Sequence, residues 1–270
     1  MIRLPEVDIR SKSGIAVVLA IMLASLGLSV LLFRTDWNGG GPDPEANMPR
    51  RYVYGTETAS NGMLLSYLRT RPSNVTLEAV HNNVTLSPFY GINGGFFYED
   101  ALVSLAVVND RPVNGGPGAY GAGGENVKYA RGTLVWDGSL DRLSVQVVRR
   151  ASELRVTDRA RFWAQGGISM SLGEDERWAA QAAAENAPFP DDNRLRSAAV
   201  YDKEGNVYLV VSRNKGSLAA FREAIVEKIG PGTLADGIFL DGDGSSQLRS
   251  REAKLRGDSR PVVQMLRIME

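Results

Sequence analysis

Arg196-Ser-Ala-Ala-Val-Tyr-Asp202 and Val207-Tyr-Leu-Val-Val-Ser-Arg213, joined across Gly205, read as one β-hairpin. Both halves are short, apolar and rich in β-branched residues. The Asp and Gly between them supply a turn. An echo lies upstream: Arg131-Gly-Thr-Leu-Val-Trp-Asp137-Gly138 leads into Leu143-Ser-Val-Gln-Val-Val-Arg149. Each unit runs Arg, strand, Asp/Gly turn, strand. The echo is either the trace of two related hairpins or the ordinary similarity of all hairpins.

Working outward, strand-like runs cover 75–80, 102–108, 132–136, 143–148, 198–201, 207–211 and 237–240, most of them bounded by Gly, Asp or Asn. Two segments have helical character. Ser217 is placed to cap a helix over 218–229, in which Leu218, Phe221, Ile225 and Ile229 share one face and Gly230-Pro231 ends the run. Residues 174–186 are Ala-rich and begin with acids, which predicts a second helix. The expectation is an α+β fold: a mixed or antiparallel sheet with a few packed helices.

The N-terminal part is different. Residues 14–33 (GIAVVLAIMLASLGLSVLLF) are uncharged, and at about 1.5 Å per residue a helix of them would match the apolar thickness of a bilayer. Arg3, Arg10 and Lys12 precede this run, which predicts residues 1–13 in the cytoplasm and the rest outside. The run exceeds a usual signal-peptide core and has no A-x-A-like site behind it, so an uncleaved transmembrane signal anchor is expected. Residues 34–51 read as a linker, rich in Gly, Pro and charge, and 52–270 as one domain outside the cell membrane.

Across 270 residues, 31 Lys and Arg balance 31 Asp and Glu, so no net field favours a nucleic-acid partner. With no Cys and one His, thiol chemistry and ordinary zinc sites are excluded. His81 lies in a polar stretch and reads as a surface or turn residue. Catalysis, if present, must use carboxylates, Arg, hydroxyls, backbone groups or an oxygen-ligated metal.

Three motifs could carry chemistry. In Gly91-Ile-Asn93-Gly94-Gly95-Phe96-Phe97-Tyr98, paired glycines let a backbone approach a ligand, and the aromatics could wall a sugar pocket; a plain tight turn is the competing reading. Leu240-Asp241-Gly242-Asp243-Gly244-Ser245-Ser246 follows a hydrophobic strand and presents carboxylates and hydroxyls at its end. Its Asp-x-Asp spacing makes Asp241 and Asp243 candidate Ca2+ ligands, although the rest of a calcium loop is missing. Residues 115–124 (GGPGAYGAGG) read as a mobile loop, of the kind that can cover a site.

The order of these motifs resembles the phosphodiester glycosidase family. The resemblance rests on INGGFF at 92–97, Gln165-Gly166-Gly167, the Arg196 hairpin, the capped helix and LDGDGSS at 240–246, and it covers roughly 75–248. One departure is Asp243, where the family usually has Gly. The resemblance implies a hydrolase that cleaves the bond between a sugar and a phosphodiester in envelope or exopolysaccharide glycans. It implies Asp241 as the catalytic carboxylate, Arg196 as a phosphate clamp and Asn93 as a polar partner of the sugar. Gly94, Gly95, Phe96, Phe97, Gly167, Gly244, Ser245 and Ser246 become candidate substrate contacts, with the amides of Gly94, Gly95 and Gly244 open to anions. Ca2+ is the one candidate cofactor, and whether a metal takes part is left open. The alternative is a non-catalytic glycan-binding domain of the same fold.

Overall fold

A computed structural model describes residues 48–270. A six-stranded sheet runs in the order β1 (Val53–Thr58), β2 (Leu64–Thr70), β14 (Val207–Ser212), β13 (Ser197–Asp202), β15 (Leu234–Phe239) and β12 (Ile168–Ser169). A second sheet has the order β10 (Arg142–Val148), β9 (Arg131–Asp137), β11 (Phe162–Gly166), β7 (Ala106–Val108) and β8 (Arg111–Pro112). In the third, β17 (Lys254–Leu255), β16 (Leu248–Arg249), β4 (Tyr90–Asn93), β18 (Val262–Ile268) and β3 (Val75–Asn82) are neighbours. β5 (Phe97–Tyr98) and β6 (Ala101–Leu102) form a small ribbon.

Every pairing is antiparallel. Among the described residues there are two α-helices, α1 (Trp178–Ala184) and α2 (Leu218–Lys228). The α+β expectation is therefore corrected to a mostly antiparallel β fold. Two causes account for the difference. The Ala-rich 174–186 segment yields only seven helical residues, its acids lying in turns before α1. The 53–58, 64–70 and 262–268 segments, whose periodicity is weak, become strands through their neighbours. The apolar run at 14–33 lies outside the described residues; among those described, no helix is long and apolar enough to cross a membrane.

The β13–β14 hairpin sits at the centre of its sheet because both of its faces are buried. Ala199, Leu209 and Val211 point into one core with Leu68, Ile92, Leu134, Trp163 and Leu266. Ala198, Val200, Tyr208 and Val210 point the opposite way, into a second core with Phe221, Ala224 and Ile225 of α2. Period-two alternation gives each face its own set. A continuous apolar run such as 207–211 is what a doubly covered strand requires. Ser217 Oγ accepts the Ala220 N–H at 3.1 Å and caps α2 as its sequence predicts.

The Gly-rich stretch 115–124 is not a lid over the LDGDGSS loop. Gly121 and Gly123 carbonyls accept the N–H groups of Leu102 and Ala106 at 2.9 and 2.7 Å, and Ala122 is buried beneath them. Gly121 and Gly123, both at positive φ, pack closely over β6 and β7, while residues 116–120 are exposed.

Candidate functional site

Where β4 and β15 end and β13 begins, a cleft of about 280 Å3 opens. Asp241, Gly242 and Asp243 form one wall; Arg194, Arg196 and Arg260 stand around them, and Phe96, Phe97, Phe189 and Phe239 line the apolar part. Three guanidiniums against two carboxylates leave the lining net positive, in a chain of zero net charge. The cleft suits a ligand with an anionic end and an apolar ring face.

Asp241 lies just beyond β15, half-buried. Burial pushes its carboxyl up to about 6, despite the opposing hydrogen bonds from Ser245 and the Gly242 N–H and the charge of Arg260. A carboxylate with a pKa near neutrality in a cleft is suited to base or nucleophile chemistry. Ser245 is therefore a partner of Asp241 and is itself buried. Ser246 is also buried, and its Oγ has no hydrogen-bond partner among the described residues.

Asn93 belongs to the scaffold behind the cleft. Its Nδ2 donates to the Asp241 carbonyl at 2.8 Å, while its Oδ1 accepts Ser197 Oγ–H at 2.8 Å and the Gln247 N–H at 3.1 Å. One amide thus ties β4 to β13 and to both sides of the loop that carries Asp241. Gly94 and Gly95 are likewise committed. Their N–H groups donate to the Gln264 carbonyl at 2.9 Å and to Gln264 Oε1 at 3.3 Å, so they are not open to anions. The glycines are needed for closeness: a Cβ on Gly94 would sit 1.7 Å from Gln264 Oε1, and one on Gly167 2.1 Å from the Phe239 carbonyl. Gly244 packs in the same way, against Asp258.

Arg196 is buried and is mainly a strut. Its Nε donates to the Gly216 carbonyl at 3.0 Å, and Nη2 donates to the carbonyls of Phe189 and Asp192 at 2.9 and 2.6 Å. Burial, reinforced by neighbouring Arg194, lowers its pKa; an Arg remains charged even so. Arg131, at the same place in the other hairpin, donates to the Glu185 and Asn186 carbonyls at 3.1 and 3.4 Å. The two buried arginines hold the segment between them from either end.

Phe189, on that segment, combines φ +50° with 58% exposure, both unusual for a bulky apolar residue. The Arg194 guanidinium lies 4.1 Å from its ring centroid. Arg194 also donates to Asp192 at 2.9 Å and to Asp243 at 2.9 Å. Arg194, Arg260 and Phe189 escaped the sequence reading; the available signal was Arg194 two residues before Arg196, on the same side of an extended chain.

Asp243 has φ +53°, a left-handed conformation that favours Gly and that Asp tolerates. That geometry accounts for a Gly in the resembling family, and the bond to Arg194 for what Asp adds. As a Ca2+ site the loop is a poor fit: Asp243 is paired with Arg194, and Arg260 exerts its charge on both carboxylates. No cluster of three or more His, Cys, Asp or Glu suited to a metal occurs among the described residues.

No family model matches the sequence, and no curated protein does. Among solved structures, the fold is similar to the zebrafish N-acetylglucosamine-1-phosphodiester alpha-N-acetylglucosaminidase (NAGPA) catalytic domain auto-inhibited by its pro-peptide. The TM-score is 0.55 at 14% identity, over 86% of this chain and 85% of that one. A hypothetical protein from Synechocystis gives a TM-score of 0.46 at 14% identity, over 80% of this chain and 61% of that one. At this identity the likeness to the zebrafish enzyme is one of fold alone.

Proposed function

We propose that the protein is a hydrolase that cleaves the glycosidic bond between a sugar and a phosphodiester. The observation that carries this reading is Asp241, its carboxyl raised to about 6 in a cleft lined by three guanidiniums. The fold likeness to an enzyme of that reaction class supports it.

Chemically, the anomeric C1–O bond breaks, its electron pair leaves with the phosphate oxygen, and water supplies the hydroxyl that ends on the sugar. The phosphate leaving group is weakly basic, so charge stabilisation matters more than protonation. Arg194 supplies it when it turns from Asp243 to the ligand; Arg260 and the uncommitted Nη1 of Arg196 add to the field. Ionised Asp241 faces the developing oxocarbenium ion, as nucleophile or as base for the attacking water. Phe189 offers its ring as a platform for the sugar face.

The test is hydrolysis of an N-acetylglucosamine-1-phosphodiester in 18O-labelled water. Label in the released sugar, none in the phosphate, and a rate that rises with pH through about 6 are expected. Label in the phosphate would refute C1–O cleavage. Sugar-phosphate binding without turnover would assign the cleft to a binding domain.

A further inference from the structure

A second concave surface lies at the opposite end of the β13–β14 hairpin. It is a groove of about 560 Å3 that includes Arg50, Arg51, Arg69 and Arg71 together with Asn206, and Glu270 is the one carboxylate side chain in its lining. All four arginines are exposed. Thr70 between Arg69 and Arg71 is buried, so alternation along extended backbone turns both guanidiniums to the same side. Arg51 is paired with Glu270 at 2.6 Å. Among the described residues, Arg50, Arg69 and Arg71 form no direct ion pair with a carboxylate; Arg69 hydrogen-bonds the Tyr208 hydroxyl, which donates to Asp202, and Arg71 Nη1 donates to the Glu204 carbonyl at 2.6 Å.

The groove is separate from the Asp241 cleft. Arg196 precedes β13 and Asn206 follows the turn after it; six strand residues at about 3.3 Å each set the two sites about 20 Å apart. Guanidiniums without a direct carboxylate partner concentrate positive charge in a concavity of a chain whose net charge is zero. Planar guanidinium groups at this density favour phosphate oxygens, which they engage in pairs.

We infer that this groove is a second anion-binding site, one that takes phosphate groups carried on a soluble polyanion or on lipid headgroups. The inference is independent of the reaction proposed for the cleft, because its test reads binding and not turnover.

The full chain is titrated calorimetrically with inorganic tripolyphosphate at low ionic strength. The same protein is sedimented with vesicles of phosphatidylcholine and phosphatidylglycerol (3:1), and vesicle binding is read as the excess over vesicles of phosphatidylcholine alone, because the apolar run at 14–33 is expected to enter either bilayer. Arg69→Ala/Arg71→Ala is expected to weaken tripolyphosphate binding at least tenfold at one class of sites, leaving the class sensitive to Arg194→Ala. Arg50→Ala/Arg51→Ala, which removes two exposed side chains and no core contact, is expected to do the same and guards against misfolding of the first pair. A parallel loss of vesicle binding identifies the lipid source; vesicle binding unchanged by both pairs identifies the soluble one. Tripolyphosphate and vesicle binding both indifferent to both pairs would overturn the site.

Discussion

The sharpest consequence of the cleft is that its key carboxylate works against the fold. In the native state Asp241 titrates at about 6 against an ordinary value of 3.8. At 1.36 kcal/mol per tenfold change, the difference corresponds to about 3 kcal/mol. The native state holds its proton more tightly than the unfolded chain, so below pH 3.8 the group contributes nothing. As pH rises from 3.8 to 6, the unfolded chain releases a proton that the native state retains, and stability falls. Above 6 the full cost of the buried charge is present. Asp241→Asn removes the titration while keeping an acceptor for Ser245. The variant is expected to match the parent near pH 3.5 and to be more stable by up to about 3 kcal/mol at pH 7.5, on the order of 6–12 °C in Tm for a domain of this size. Turnover should be lost over the same range. The assay is urea unfolding of both proteins across that pH interval, where every other titration cancels in the difference. An Asn variant with a pH-independent stability offset, or one less stable at pH 7.5, would refute the burial argument.

Other perturbations separate scaffold from cleft. Asn93→Ala leaves the Asp241 carbonyl, Ser197 Oγ and the Gln247 N–H without their shared partner and should cost about 2–4 kcal/mol in thermal or urea unfolding. A stability loss under 1 kcal/mol would restore Asn93 as a ligand contact. Arg194→Ala, exposed in part and ion-paired at the surface, should change stability by less than about 1 kcal/mol yet weaken sugar-phosphate binding measured by calorimetry. Arg196→Ala should destabilise by about 3 kcal/mol, since three backbone carbonyls lose their donor. Asp243→Gly relieves a left-handed φ and frees Arg194, so anion affinity should rise with stability held within about 1 kcal/mol.

The sequence exposed the parts of this fold whose burial is two-sided. The run at 207–211 is apolar at every position because each residue meets one core or the other. The 64–70 segment (LLSYLRT) gave no such signal: Ser66, buried at its centre, and exposed Arg69 break both periods, and its place is set by pairing with β1 and β14. In the cleft, the Asp241 loop was visible because a hydrophobic strand ending in Asp and Gly is a local pattern. Asn93 was visible as well, but not its orientation, which depends on Ser197 and Gln247 from distant parts of the chain. Gly94 and Gly95 looked like open amides because Gln264, which occupies them, arrives on the last strand. Arg260 carried no local signal, and only the turn through Asp258 brings it to the cleft.

Four local departures from good folding practice meet at this one end of the sheets. Asp241 is a carboxylate buried against its solvation; Asp243 and Phe189 adopt left-handed backbone; Ser246 keeps a hydroxyl without a partner. Each costs about 1–3 kcal/mol on its own. A scaffold tolerates them only where neighbouring structure dictates the geometry, and here it does. Asn93 fixes the Asp241 backbone, and Arg131 and Arg196 fix the segment that bears Phe189. In Phe189 the two sides of the argument can be weighed on one residue. Its ring is 58% exposed, so a core role does not explain it, and a glycine would hold φ +50° without strain. Selection for stability alone would place Gly there. On the proposed reading, an aromatic ring kept at a strained, solvent-facing position beside Arg194 is accounted for by the platform it offers a sugar.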